Sequence, residues 1–268
     1  PMWQYPAVEG SYAPVIYKDM DESYSHFLSE GYHVPWYAPH SVDFLKRPEL
    51  PIMGVTDNTY SSGNGDIYVK NVNLVLGRGV QGIGTEHARP FNDWESAYTV
   101  RIVNLLSRMY GGIYSNSEPL NEAGILYSYT QDVKEGRNCL GTPHWEKVYG
   151  VYGAGLMAGI PMSIIYEEDI LNDYLLNKGE VRFGMLFLIG IKELPDNIQN
   201  KINTYISKGG KVISDEDSIE FKGGIKIDLG GFYDKEMKKA MWEGYAADSW
   251  FPILHPILEK LSMKIKES

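Results

Sequence analysis

Between Ala123 and Ser214, apolar segments alternate regularly with polar or acidic ones, and this alternation limits the folds open to the chain. The apolar segments read AGILY, PMSIIY, FGMLFLIG and KVIS, and polar or acidic residues follow most of them. Strands that are apolar throughout, rather than at every second position, are typical of parallel sheets, because helices cover both faces of such a sheet. The stretch therefore predicts a parallel α/β sheet.

Amphipathic helices separate these predicted strands. The clearest one lies before KVIS and ends at the left-handed turn that Gly209 and Gly210 favour. Its apolar residues have the i, i+4, i+7, i+8 spacing of one helical face: Ile198, Ile202, Tyr205 and Ile206. A similar stripe marks an earlier helix: Trp145, Val148, Tyr152 and Leu156. Strand and helix in alternation predict a doubly wound, flavodoxin-like sheet for residues 121–268.

Residues 1–120 show the same alternation. Strands are predicted at APVIYKDMD, LPIMGVTDN and VQGIGTEH, and SYSHFLSEG is predicted to be a helix. A long helix should end at Gly111 and Gly112, with an inward face formed by Trp94, Tyr98, Ile102, Leu105, Leu106 and Met109. About four strand–helix units of this kind suit either a doubly wound sheet or half of an eight-stranded barrel. The polar segment SNSEPLNEA predicts the domain boundary.

Polar residues at the ends of the N-terminal strands are the candidate site residues. In a barrel the active site lies at the carboxyl ends of the strands. Asp57 and Asn58 follow one predicted strand, and Glu86 and His87 follow another. An aromatic pair, Trp36–Tyr37, ends a further apolar run and could stack on a sugar ring. The alternatives are structural: an Asx turn at Asp57, and a simple strand cap at Glu86.

Composition narrows the classes of function. At 268 residues, the chain suits one or two domains, and its net charge of −10 argues against nucleic acid as the partner. No apolar run reaches the roughly 20 residues of a membrane span, so no membrane partner is expected. The single cysteine, Cys139, leaves the cellular compartment undecided. Because the chain begins at Pro1, we expect a processed chain or a piece of a longer one.

Several segments in order resemble a known family. They are NEAGILYSYTQD, YGAGLMAGIPMSIIYEED and FGMLFLIGIKELPDNIQNKINTYISKGGKVISDED. Together, over roughly residues 120–218, they are similar to the middle domain of family forty-two β-galactosidases and related glycoside hydrolases. That domain has a glutamine-amidotransferase-like fold and is often called the trimerisation domain. VKNVNLVLGRGVQGIGTEH and the helix ending in YGG are similar to the last units of the catalytic barrel in those enzymes.

The resemblance implies a carbohydrate-active protein and a glycosidase-type site. It places the acid/base after the fourth barrel strand, which would be absent from this chain, and the nucleophile after the seventh. Asp57 then lies near the end of the seventh strand, where the family has a glutamate, and Glu86 and His87 lie at the end of the eighth. The candidate catalytic residues are Glu86 and Asp57, with Trp36, Tyr37, Asn58 and His87 as sugar-binding residues. Because the strand that bears the acid/base would be absent, we expect this chain alone to lack the complete carboxylate pair of the family.

Other chemistries have less support in the sequence. Glutamine hydrolysis needs a cysteine on the turn after the central strand, but Ile191 stands there, and Cys139 lies in a loop some residues before His144. Neither a nucleotide motif nor metal-ligand spacing of histidines occurs, so no cofactor and no metal are expected. Two acidic strand ends, Glu167–Asp169 and Asp215–Asp217, could bind cations or hydroxyl-rich ligands, or could be solvated helix-start charges.

The remaining expectation concerns assembly. Half a barrel leaves strand edges and an apolar interior uncovered, and soluble proteins cover such surfaces. We therefore expect a homo-oligomer, a missing N-terminal barrel half, or closure of the N-terminal units in another way. The alternative function is a non-catalytic sugar-binding or oligomerisation module.

Overall fold

The computed structural model describes residues 23–27, 40, 42–44, 52–57, 72–73, 75–80, 82–86, 94–117, 120, 122–136, 143–228, 259 and 263. The chain divides into two compact units, Pro1–Pro119 (unit 1) and Leu120–Ser268 (unit 2). Among the described helices, none combines the length and the apolar character that crossing a membrane requires. The predicted strands at APVIYKDMD and at the run before Trp36–Tyr37 lie outside the described residues.

Unit 1 contains a parallel three-stranded sheet, the N-terminal sheet. Its strands are β1 (Ser23–Phe27), β2 (Ile52–Asp57) and β3 (Gly82–Glu86). Their order in the sheet is β1-β2-β3, the order of the sequence. Each strand therefore pairs with the next one along the chain, and β2 is the central strand of the three.

The segment SYSHF is a strand, so the helix predicted there is wrong. Its residues pair with β2 in a continuous parallel register, from Ser23 opposite Ile52 to Phe27 opposite Thr56. Serine, tyrosine, histidine and phenylalanine are weak helix formers, whereas aromatic residues favour strands. The hydrogen-bonded pairing of this segment with β2 therefore outweighs its short apolar stripe, which alone would also suit a helix.

Helix α1 (Trp94–Ser115) is longer than predicted and turns its apolar stripe outward. It continues through Gly111 and Gly112, because a glycine weakens a helix without stopping it. Beyond its end, the Asn116 side-chain amide donates to the Gly112 carbonyl (2.7 Å) and the Ser117 hydroxyl donates to the Ile113 carbonyl (2.6 Å). The expected inward face is wrong, since it includes exposed side chains: Tyr98, Leu105 and Met109.

Other described apolar side chains of unit 1 are buried. They are Val42, Phe44, Val72, Val75, Leu76, Val80 and Val103. His40 is fully buried and stacks on Phe44, with ring centroids 5.7 Å apart. Next to these residues, the Arg78 guanidinium makes a two-pronged ion pair with the Asp43 carboxylate, with Nε 2.9 Å from Oδ1.

Unit 2 contains a parallel five-stranded sheet, the C-terminal sheet. Its strands are β4 (Ala123–Tyr127), β5 (Met162–Tyr166), β8 (Met185–Leu188), β9 (Lys211–Asp215) and β10 (Ile225–Ile227). They lie in the order β10-β9-β8-β4-β5, and every neighbouring pair is parallel. Between β5 and β8, the short strands β6 (Leu176–Asn177) and β7 (Glu180–Val181) form an antiparallel hairpin. The prediction of a parallel α/β sheet is confirmed.

Four helices connect these strands within the described part of unit 2. They are α2 (Tyr129–Glu135), α3 (Pro143–Met157), α4 (Glu167–Leu171) and α5 (Asp196–Ser207). The stripe predicted for α5 is confirmed, because Ile198, Ile202 and Tyr205 are buried in one cluster with the strand residues Leu186, Leu188 and Val212. The Tyr205 hydroxyl, buried against the sheet, donates to the Phe183 carbonyl over 2.6 Å. This packing holds α5 against the sheet.

Candidate functional site

Asp57 and Glu86 are the last residues of β2 and β3 and lie opposite each other in the strand register. Adjacent strands of a sheet are about 4.8 Å apart. The fold therefore brings the two carboxylate-bearing residues to one position at the carboxyl edge of the N-terminal sheet. Sequence spacing alone did not establish this neighbourhood, because it depends on β2 and β3 pairing directly.

The proposed sugar-binding residues Trp36, Tyr37, Asn58 and His87 lie outside the described residues. Asn58 and His87 follow Asp57 and Glu86 directly in the chain, so they begin the segments that leave β2 and β3. Their role therefore stays a prediction.

The corresponding edge of the C-terminal sheet holds a buried carboxylate, Glu167, at the end of β5. Its Oε1 accepts from the Ser128 hydroxyl (2.5 Å) and from the Thr130 backbone N–H (3.0 Å). Its Oε2 accepts from the Thr130 hydroxyl (3.1 Å). Ser128 and Thr130 follow the neighbouring strand β4, so the carboxylate ties the ends of β4 and β5 together. The interpretation of Glu167 as a solvated helix-start charge is wrong, because the residue is 7% exposed.

His144, at the start of α3, packs against the same strand end. Its Nε2 accepts a hydrogen bond from the Ser128 backbone N–H over 2.8 Å, so the proton of the neutral ring resides on Nδ1. The ring stacks on Tyr127, with centroids 5.1 Å apart. Burial lowers the pKa of His144 to about 3; the charge of Lys147 lowers it further, whereas the Ile189 carbonyl raises it. The side chain is therefore a neutral structural acceptor at neutral pH.

The turn after β8 has three successive backbone N–H groups, and each donates to a side chain of the protein. The Gly190 N–H donates to the Asp215 carboxylate (3.0 and 3.1 Å). The Ile191 N–H donates to the Ser218 hydroxyl (2.9 Å), which itself donates to Asp215. The Lys192 N–H donates to the Gln131 side-chain carbonyl (2.9 Å). Successive N–H groups of this kind form anion sites when they are open, but here the protein supplies every acceptor.

The same turn is also closed sterically. Gly190 has a φ of +66°, and a Cβ at this position would lie 2.5 Å from Lys147 Cδ and 3.0 Å from Lys147 Nζ. Lys147 also forms an ion pair with Asp217, at 3.7 Å. Ile191, which the sequence resemblance would place at the cysteine position of an amidotransferase, is fully buried in the core cluster. An aliphatic side chain in the core cannot attack an amide.

The two acidic strand ends of unit 2 are three strand steps apart. Glu167 follows β5 and Asp215 ends β9, and β4 and β8 lie between them in the sheet. Three steps correspond to about 14 Å. These carboxylates therefore form no acid/base pair with each other, and the described residues contain no group of His, Cys, Asp and Glu that could hold a metal ion.

Sequence reasoning missed the network of Ser128, Gln131, His144 and Ser218. Part of the signal was present: Ser128 follows a strand and accepts from the Gln131 N–H (3.1 Å), as the N-cap of α2. The partners across the sheet, such as His144 and Glu167, have no signal in local spacing. Cys139, the other candidate for thiol chemistry, lies outside the described residues.

Comparison with known proteins identifies no family: the sequence matches no protein-family model and no curated protein. Three solved structures are similar to the fold. An α-L-fucosidase isoenzyme 2 from Paenibacillus thiaminolyticus has a TM-score of 0.48 and 16% identity over 66% of this chain. A cold-adapted β-galactosidase from Rahnella sp. R3 (TM-score 0.47) and the exo-β-1,4-mannosidase Op5Man5 from Opitutaceae bacterium strain TAV5 (TM-score 0.47) are each 12% identical, over 74% and 78% of this chain.

The chain covers only 26%, 32% and 43% of the lengths of these three proteins, in the same order. TM-scores below 0.5 and identities of 12–16% carry no argument about the activity of this chain. Its function is therefore argued from its own residues.

Proposed function

We propose that this chain is a carbohydrate-active protein, a portion or shortened relative of a β-galactosidase-like glycoside hydrolase, and that Asp57 and Glu86 act as a carboxylate pair, with Glu86 in place of the acid/base whose strand is absent from this chain. The observation that supports the proposal is the register of β2 and β3, in which these two residues are direct partners. The resemblance to family forty-two β-galactosidases points to the same class of substrate.

The spacing of adjacent strands suits glycoside chemistry. Retaining glycosidases hold two carboxyl groups about 5–5.5 Å apart, and register partners on adjacent strands are about 4.8 Å apart. In that chemistry one carboxylate attacks the anomeric carbon, while the other protonates the departing oxygen and then activates a water molecule. We assign Asn58 and His87 to the sugar hydroxyl groups, and Trp36 and Tyr37 to stacking on the sugar ring.

The two units fit the two folds that the resemblance implies. Sequential order β1-β2-β3 supports barrel-like units, because barrel strands follow one another around the barrel. Numbered along the chain, the five parallel strands of unit 2 have the order 2-1-3-4-5, which supports a flavodoxin-like, amidotransferase-like domain.

We assign unit 2 a supporting role rather than a catalytic one. Ligands of open parallel sheets bind where the strand order reverses, which here lies between β4 and β8. At this place the Gln131 side chain spans the gap to Lys192, and Lys147 covers Gly190. A domain closed in this way suits a scaffold. The alternative for the whole chain is a non-catalytic sugar-binding or oligomerisation module, which the closed edge of unit 2 also supports.

Hydrolysis of chromogenic aryl glycosides tests the proposal. Galactosides, fucosides and mannosides are offered to the wild-type chain and to the Asp57→Asn and Glu86→Gln variants. These changes keep the side-chain shape but remove the acid or the nucleophile, so we expect turnover to fall at least about 100-fold in each. Glu216→Gln, an exposed carboxylate after a strand of unit 2, is the matched control and should retain the wild-type rate.

The outcomes separate the proposal from its alternative. Turnover that both Asp57→Asn and Glu86→Gln preserve would refute the carboxylate pair. Wild-type protein that binds a galactoside without hydrolysing it, as measured by calorimetry, would identify a non-catalytic sugar-binding module. Protein that neither binds nor hydrolyses any glycoside would refute the carbohydrate assignment.

A further inference from the structure

Helix α1 presents its most apolar face to solvent. Tyr98, Leu105, Met109 and Ile113 have exposed fractions of 56%, 46%, 68% and 65%. Ile102 lies between them and is half-buried. We call these five residues the α1 stripe. Most of the exposed large apolar side chains in the described part of unit 1 belong to it.

The spacing of the α1 stripe is that of a helix-packing seam. Steps of four, three and four residues lead from Tyr98 through Ile102 and Leu105 to Met109, and a further step of four reaches Ile113. At 100° per residue all five side chains fall within an arc of about 80°. Steps of three and four are those by which two helices interlock along their length.

The opposite face of α1 is the more buried one, and it is less apolar. Val103 is buried, at 3% exposed, and its neighbours on this face are half-buried: Val100, Ser107, Gly111 and Tyr114. A lone helix would place the stripe inward and the face with serine and glycine outward, because burial of apolar surface drives packing. The observed orientation leaves the stripe for a second contact.

The area of the stripe suits a contact between two proteins. Its exposed side chains present roughly 500 Å² of mostly apolar surface, about the size of the largest apolar patch on a typical monomeric protein, and such patches are often functional. Two such stripes facing each other would bury roughly 1,000 Å² in total, the lower limit for a specific interface. One copy of this chain therefore contributes about half of the surface area that the smallest specific dimers bury.

We propose that the α1 stripe is the surface through which two copies of this chain pair about a two-fold axis. A two-fold contact requires a face that complements itself. The stripe does so because apolar residues extend to both sides of its central Leu105, so each copy places apolar side chains against those of the other. This pairing does not depend on the carbohydrate activity of unit 1.

Sedimentation velocity of the full chain between about 1 and 100 µM tests the pairing. Given the small interface, we expect the wild type to dimerise with a dissociation constant on the order of micromolar. The double variant Leu105→Glu, Met109→Glu places charges at the seam, and the dissociation constant should rise by about 100-fold, tenfold for each substitution. Since both side chains are exposed in the monomer, its melting temperature should stay unchanged.

Asn104→Glu is the control for each single substitution, because it adds one glutamate charge to an exposed position of α1 outside the stripe. It should dimerise like the wild type. A wild type that is monomeric at 100 µM overturns the proposal and leaves the stripe to another partner. A double variant that still dimerises like the wild type overturns it as well, since the contact would then lie elsewhere.

Discussion

The two parallel sheets of this chain end in similar sequence patterns but have different carboxyl edges. In the N-terminal sheet the acidic residues Asp57 and Glu86 end adjacent strands and share one register position. In the C-terminal sheet Glu167 and Asp215 also follow apolar strands, yet two strands lie between them. There, each carboxylate accepts hydrogen bonds from hydroxyl and backbone N–H groups of its own unit.

An acidic residue at a strand end is therefore not by itself a catalytic candidate. Strand order also matters, because register partners on adjacent strands lie at about the separation that glycoside chemistry requires, whereas strand ends three steps apart in one open sheet do not. A carboxylate that sits alone at an edge tends to become structural, as Glu167 and Asp215 do. We therefore expect substitutions at the C-terminal sheet to change stability and substitutions at the N-terminal sheet to change ligand chemistry.

The largest effect on stability is expected for Asp215→Ala. The change leaves the Gly190 N–H and the Ser218 hydroxyl buried without their acceptor. Hydrogen bonds to a charged group contribute about 1.5–3 kcal/mol each, so the free energy of unfolding of unit 2 should fall by about 3 kcal/mol. Urea denaturation followed by circular dichroism measures it.

Two further variants serve as controls for Asp215→Ala. Glu216→Ala, at the exposed next residue, should change the free energy of unfolding by less than about 0.5 kcal/mol. Asp57→Asn should likewise leave stability nearly unchanged if its carboxylate serves ligand chemistry. A loss of stability for Asp57→Asn as large as that for Asp215→Ala would show that the carboxylates of both edges are structural.

The next effect concerns pH. The pKa of His144 is about 3 in the folded chain, against 6.5 for an ordinary histidine, so between these values only the unfolded state binds the proton. Stability is then fully present above pH 6.5 and falls as the pH decreases toward 3. At pH 5 the loss from His144 alone is about 2 kcal/mol. His40 in unit 1, with its pKa also lowered to about 3 by burial, acts in the same direction.

Denaturation curves at pH 7, 6, 5 and 4 measure this dependence. His144→Gln keeps an acceptor for the Ser128 N–H. It should lower by about one the number of protons that unit 2 takes up on unfolding, and so flatten the slope of its unfolding free energy against pH. His40→Gln should do the same for unit 1 and leave unit 2 unchanged. If His144→Gln retained the wild-type slope of unfolding free energy against pH, His144 would be solvated. The edge of unit 2 would then be open to solvent rather than closed.

A smaller effect is expected for Gly190→Ala, which tests the turn after β8. A side chain at φ +66° costs about 1 kcal/mol, and the new methyl group also meets the flexible end of Lys147. Adding Lys147→Ala should recover the stability lost through the contact with Lys147, but not the stability lost through the positive φ of residue 190. Full recovery in the double variant would indicate that the turn is not strained, and no loss in the single variant would indicate that it is open.

Much of the fold could be predicted from the sequence, because local periodicity reports burial. The stripe of Ile198, Ile202 and Tyr205 predicted α5, and the fully apolar runs predicted a parallel sheet. The same reasoning failed for SYSHF, where pairing with β2 outweighs a short stripe. It also failed for the direction of α1, since periodicity reveals an apolar face but not what that face meets.

The candidate site was predictable in composition but not in arrangement. Asp57 and Glu86 could be selected because they end apolar strands, whereas their register depends on which strands pair. The network around Glu167 joins the start of α4 to the N-cap and first turn of α2, so no local spacing encodes it. Interactions between residues distant in the chain decide both edges, and they become visible only in the fold.

Ligand binding tests most directly the claim that the N-terminal edge, and not the C-terminal one, meets the sugar. Saturation-transfer NMR with galactose and a methyl galactoside is applied to the wild type, to the double variant Asp57→Asn, Glu86→Gln, and to Asp215→Asn. We predict transfer to the sugar in the wild type and in Asp215→Asn, and a loss of at least about tenfold in affinity in the double variant. Binding that survives in the double variant but disappears in Asp215→Asn would contradict the account.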